Sequence, residues 1–113
     1  MYKYQNVIPW DSDYYTIEHI LPESADENWG EFSDEEINRS VYRLANLTLL
    51  EKKLNKEAGM RPYAEKVELF NQSISKLTQV ISEHYDIWNE DNISARQKQL
   101  AKEAKSIWRL DIL

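Results

Sequence analysis

The chain has 113 residues, enough for one compact domain and too few for two ordinary ones, with 42% hydrophobic and 30% charged residues, a balance that excludes a disordered segment. It has no cysteine, which excludes disulfides and thiolate zinc sites and suits a reducing compartment. A net charge of −6 argues against a domain that holds nucleic acid through its overall field, because backbone binding rests on Lys and Arg neutralising phosphates.

The start, Met1-Tyr2-Lys3-Tyr4-Gln5, lacks the basic-then-apolar layout of a signal peptide. No apolar run approaches the ~18–20 residues that cross a bilayer, so a cytoplasmic protein with no membrane partner is expected. Residues 1–14 mix Tyr2, Tyr4, Val7, Ile8 and Trp10 with the turn formers Pro9, Asp11, Ser12 and Asp13, and read as the continuation of a longer protein. Residues 15–21 are β-branched and aromatic and read as a strand, with Pro22 as its stop. Residues 23–32 are a polar loop with Trp29 and Phe32 as anchors. Ser33-Asp34-Glu35-Glu36 is a capping box that opens a short helix through about Leu44, with acids first and Arg39 and Arg43 near its end, matching the helix dipole.

A second strand follows at 46–50, then a helix at 51–58 with Gly59 as its stop. Pro62 suits the first turn of the next helix. There Tyr63, Val67, Phe70, Ile74, Leu77, Ile81 and Tyr85 recur at helical spacing and predict one amphipathic helix of roughly six turns. His84, late in it, suits the dipole and reads as structural. Asn89 to Asn92 break the pattern. Ile93, Arg96, Leu100, Ala104, Ile107 and Trp108 then stripe a last helix. Two strands alone are marginal in water, so the two long helices are expected to pack over them in an α+β fold.

One constellation carries chemistry. Glu18 and His19 stand in the first strand, Asn46 opens the second, and Asn55 lies on the helix after it. A neutral imidazole can deprotonate water, and the carboxylate and amide oxygens of Glu18 and Asn55 suit Mg²⁺, which commonly binds one or two protein groups plus waters and phosphate. Asn46 could then hold the imidazole in orientation. On a regular strand Glu18 and His19 point to opposite faces, so one site for both requires a bend. Lys52, Lys53 and Lys56 beside Asn55 offer a local basic patch that the global charge lacks. Arg96, on an otherwise apolar stripe, has a stem that packs and a head that reaches an acid or a phosphate. The bland alternatives are a hydrogen-bonded histidine, a solvent-facing Glu18, a turn-forming Asn46 and solvated lysines. A purely helical reading treats 15–21 and 46–50 as buried linkers.

Glu18-His19-Ile20-Leu21-Pro22 resembles the acid-His-aliphatic-x-Pro signature of HNH, or ββα-metal (His-Me finger), nucleases. Together with Asn46-Leu47-Thr48-Leu49-Leu50, Asn55 and a terminal Ile-Trp, the chain resembles the DUF1524 domain over about residues 14–109. That domain is the HNH-like C-terminal domain of GmrSD-type, modification-dependent restriction enzymes. The resemblance implies a metal-dependent DNA endonuclease of a restriction or phage-defence protein, with DNA, in modified form, as substrate. By it, His19 is the general base, Asn46 orients it, and Glu18 and Asn55 ligate Mg²⁺ or Mn²⁺. It also implies an N-terminal DUF262-like partner domain, a ParB-like NTPase module, in the full-length protein. Two departures stand out: Glu18 where many HNH proteins have Asp, and Ala45 where this branch often has Gly. The alternative is a degenerate HNH-like domain that serves as a non-catalytic folding or protein-interaction module.

Overall fold

The computed structural model describes residues 14–112, with side chains through 105. Tyr2, Tyr4, Val7, Ile8 and Trp10 of the lead-in lie outside the described residues, as do the side chains of Ile107 and Trp108. Among the described residues the fold is α+β: a two-stranded antiparallel sheet and five α-helices.

Strand β1 (Tyr15–His19) pairs with β2 (Leu47–Glu51), Tyr15 opposite Glu51 and His19 opposite Leu47. The hairpin settles against the purely helical reading. Residues directly opposite one another share a face, and successive residues alternate. Thr16, Glu18, Thr48 and Leu50 therefore form one face, and Ile17, His19, Leu47 and Leu49 the other. The first face is the inner one, with Glu18, Thr48 and Leu50 buried; on the second, Ile17 is 60% exposed. β1 ends at His19, before the expected Leu21, because Ile20 and Leu21 turn into the core, where both are fully buried.

The long connection from β1 to β2 is built from local signals. A 3₁₀ turn, Glu27–Trp29, is capped by Asp26 and buries Trp29; Phe32 is buried with it. The predicted capping box forms at the start of α1 (Asp34–Ser40): Ser33 Oγ accepts from Glu36 N at 3.1 Å, and Glu36 Oε1 accepts from Ser33 N at 2.8 Å. α1 stops at Ser40, short of the expected Leu44, and a second 3₁₀ turn, Leu44–Asn46, delivers the chain to β2. Ala45 is buried in that turn, and among the described residues no residue other than glycine has positive φ, so nothing here requires the glycine of the resembling branch.

Helix α2 (Lys52–Ala58) continues directly from β2 and completes a ββα unit. Gly59 ends it at φ 46°, a conformation that L side chains rarely adopt. The expected six-turn helix is two helices, α3 (Tyr63–Phe70) and α4 (Lys76–His84). Between them, side chains take backbone groups that a continuous helix would have used. Ser75 N donates to Ser73 Oγ at 3.0 Å, and Ile74 N donates to Glu51 Oε2 at 2.9 Å. Two members of the predicted stripe, Ile74 and Leu77, are exposed as a result. The break lets α4 pack on β2, where the Thr78 hydroxyl meets Thr48 Oγ1 at 2.8 Å and also donates to Leu49 O.

The last helix, α5 (Glu90–Ile112), starts where predicted, with Asn89 Oδ1 accepting from Asn92 N at 2.8 Å. One apolar cluster joins Ile20, Leu21, Trp29, Phe70, Trp88 and Ile93, with Ile37 of α1 and Leu54 of α2 packed against it.

Candidate active site

The sequence places an acid and an imidazole side by side; the fold separates them. β1 stays regular through His19, so Glu18 points inward and His19 outward. The His19 side chain is 23% exposed, with Nδ1 4.0 Å from Glu23 Oε1. Tyr42 stands edge-on to the imidazole at 5.7 Å and donates its hydroxyl to Glu23 Oε2 at 2.6 Å. An accessible imidazole is thus flanked by a carboxylate and a phenol, neither of which the sequence reading had singled out.

Glu18 is 3% exposed and forms an ion pair at 2.7 Å with Lys66 of α3, which is 0% exposed. The ammonium also donates to His19 O at 2.9 Å and Ile20 O at 3.0 Å. It lies 5.7 Å from the Trp29 ring centre, a cation–π distance. The ammonium thus meets one carboxylate oxygen as an ion pair and two carbonyls as hydrogen-bond acceptors, while Glu18 Oε2 accepts no hydrogen bond among the described residues. Burial pushes the Glu18 carboxyl up and the Lys66 ammonium down, and their mutual attraction opposes both shifts. Lys66 was missed, although a signal existed: it falls three residues after Tyr63 and four before Phe70, on the buried side of α3.

Asn46 is fully buried beneath the same turn. Its Oδ1 accepts from Leu21 N at 2.8 Å and from Trp88 Nε1 at 2.9 Å. Its Nδ2 donates to Leu21 O at 2.9 Å and Val41 O at 3.0 Å, and its backbone oxygen accepts from Ile20 N at 2.9 Å. The amide is saturated by these partners, so its hold on His19 runs through the backbone and not through a bond to the ring.

Arg96 forms no ion pair among the described residues and turns instead to backbone. It is 4% exposed, and its Nη1 donates to Ala45 O at 2.7 Å and Leu47 O at 2.9 Å, the carbonyls on either side of Asn46. A guanidinium packed this way braces backbone through Nη1, while Nη2 makes no hydrogen bond among the described residues. Lys52, Lys53 and Lys56 are exposed on α2 and line a shallow depression with Tyr14 and Glu51. His84 is exposed in the last turn of α4.

Asn55 is brought back to β1 as the ββα unit requires. Its Nδ2 donates to Thr16 Oγ1 at 2.6 Å and Ile17 O at 3.2 Å, and its Oδ1 accepts no hydrogen bond among the described residues. That oxygen is a fit donor for a hard cation. Glu18 is not, because its carboxylate is enclosed and already held by a cation. Among the described residues no group of three or more His, Cys, Asp and Glu is arranged to hold a metal ion. Of the two expected ligands, Glu18 is engaged by Lys66 as the side chains stand, and Asn55 presents an open Oδ1.

The family model for the C-terminal domain of GmrSD restriction endonucleases matches residues 1–103. No curated protein and no solved structure matches the chain.

Proposed function

The chain belongs to the GmrSD restriction endonuclease C-terminal domain family, and from that premise we propose that it hydrolyses phosphodiester bonds of DNA with His19 as general base. The observation that supports this is the ββα unit itself, which sets an accessible imidazole at the end of β1 on a turn held from beneath by Asn46 and Lys66. In the proposed reaction the imidazole accepts a proton from the attacking water, and Glu23 and Tyr42 flank the ring. The substrate is proposed to be modified DNA, approached over the exposed Lys52, Lys53 and Lys56 of α2. The remainder of the grip on DNA is assigned to a DUF262-like NTPase domain of the full-length protein, which fits the −6 charge of this chain. Mg²⁺ or Mn²⁺ is proposed as the cofactor, with Asn55 as the protein donor open to it and water and phosphate oxygens completing its shell.

Plasmid nicking in Mg²⁺ and in Mn²⁺ by the wild type and His19→Ala tests the reading. Nicking that is lost in His19→Ala is the expected result; nicking that survives removes His19 from the chemistry. The second reading, a non-catalytic module, is favoured by one observation, the capture of Glu18 by Lys66. Absence of nicking together with absence of Mn²⁺ binding would select it.

A further inference from the structure

Among the described residues, Lys66 is the cation sealed against the segment that carries His19. The side chain is fully buried on α3, and its three partners are Glu18 Oε2, His19 O and Ile20 O, at 2.7, 2.9 and 3.0 Å. These are consecutive residues, and they are where the inward-facing strand becomes the turn. A strand end is ordinarily free to fray and to swing the side chain it carries. Here one ammonium forms an ion pair with the residue before the imidazole and donates hydrogen bonds to the carbonyl of the imidazole's own residue and to the next carbonyl. Asn46 binds the next residue, Leu21, at both its N–H and its C=O. The backbone from 18 to 21 is thereby fixed by two buried side chains, and the His19 ring is aimed outward toward Glu23 and Tyr42.

We propose that Lys66 is the positioning residue of this site and that Glu18 is its counter-ion, with no part in metal binding. This rests on the reading of His19 as general base where turnover is concerned, and stands without it where geometry is concerned. The ion pair brings a full positive charge into the core, where it can bond two carbonyls more strongly than a neutral donor would. The carboxylate that a metal would use is what neutralises that charge.

The test exploits the fact that the chain has two histidines, His19 and His84. They give two sets of imidazole ring resonances, and His84, at the end of α4, serves as an internal reference. The full chain is compared as wild type, Lys66→Met and the double variant Glu18→Gln/Lys66→Met, which removes both charges with little change in volume. Spectra are recorded at one fixed pH on samples whose circular dichroism shows them folded. The expected result is that the His19 ring resonances move while those of His84 stay, and that kcat for nicking falls up to about 100-fold with KM little changed. Unmoved His19 resonances in either folded variant would overturn the proposal. If Lys66→Met does not fold, the double variant alone decides, read in the same way. Should the wild type show no nicking, a selective His19 shift still supports the positioning role while the nuclease reading fails.

Mn²⁺ titration by calorimetry addresses the counter-ion. Wild type and Glu18→Gln titrating alike is expected; a loss of affinity of about 10-fold or more in Glu18→Gln would make Glu18 a ligand and overturn that half of the proposal.

Discussion

Glu18 and Lys66 show how much a single buried contact decides. Each group alone would be destabilising in the core, as the direction of both pKa shifts indicates: burial drives Glu18 up and Lys66 down, each toward its neutral form. Together, with two carbonyls completing the ammonium's shell, they are tolerable. Breaking such a pair from one side leaves an uncompensated charge, so Lys66→Met and Glu18→Gln should each lower unfolding stability by about 3–5 kcal/mol. The double variant should cost well under the sum of the two. Urea midpoints followed by Trp fluorescence measure this, and costs that simply add would show that the two side chains do not act as a pair. Asn46 makes the parallel case for neutral groups. Replacing it with Ala orphans Leu21 N, Leu21 O, Val41 O and Trp88 Nε1 in the core. At about 1 kcal/mol or more for each of these groups left unpaired, Asn46→Ala should cost roughly 4 kcal/mol or more. A loss below about 1 kcal/mol would mean that water replaces the amide. The sequence marked Asn46 as a residue to watch, because its spacing from His19 and Asn55 is recognisable. It did not mark Lys66, because a lysine between Tyr63 and Val67 reads as a solvated neighbour until its partner 48 residues earlier is in place.

At the scale of elements, local chemistry was readable and phase was not. The Ser33–Glu36 capping box and the Gly59 stop both act within a few residues, and both form as read. Gly59 has a direct bearing on the site, since its N–H donates to Asn55 O and closes the helix that carries Asn55. At φ 46° and ψ −125° an added Cβ is strained whatever the room around it, so Gly59→Ala should cost about 1–3 kcal/mol. Thermal unfolding would show this as a lowered midpoint, and an unchanged midpoint would mean that the α2 terminus relaxes to negative φ at no cost. The α3–α4 break was hidden for the opposite reason. The apolar spacing runs through 63–85 in phase, so periodicity alone joins the two helices. What divides them is Asn71-Gln72-Ser73-Ile74-Ser75, whose short polar side chains compete for backbone groups, and a carboxylate from Glu51 that only the tertiary fold brings to Ile74 N. The polar cluster was visible in the sequence; the distant acceptor was not.

At the scale of the whole molecule, α5 holds the candidate site from behind. Along its first two turns it meets the segment 39–47 repeatedly: Glu90 takes Arg39, Ser94 Oγ accepts from Arg43 Nη1 at 3.1 Å, Gln97 Oε1 accepts from Ala45 N at 3.0 Å, and Arg96 grips the carbonyls flanking Asn46. The segment that delivers Asn46 to the turn after His19 is therefore registered against one rigid helix. The outermost of these links is the Arg39–Glu90 bridge, which is bidentate, with Nε to Oε2 at 2.9 Å and Nη2 to Oε1 at 3.0 Å. The Arg39 hydrogen bond holds the Glu90 carboxyl below its ordinary value of 4.5. A carboxyl depressed in the folded state contributes stability that is present above its unfolded value and is lost as pH falls through the folded one. The wild type should therefore lose stability on acidification below about pH 4.5 in part through this bridge, and Glu90→Gln should lack that part. The bridge is exposed, so the effect is small and is weakened further by salt. Urea midpoints of the two proteins between pH 6 and pH 3, at low and high ionic strength, give the comparison. Midpoints that run parallel down to acid pH would show that the bridge adds nothing to the docking of α5, and that the inner contacts of Arg96 and Gln97 carry it alone.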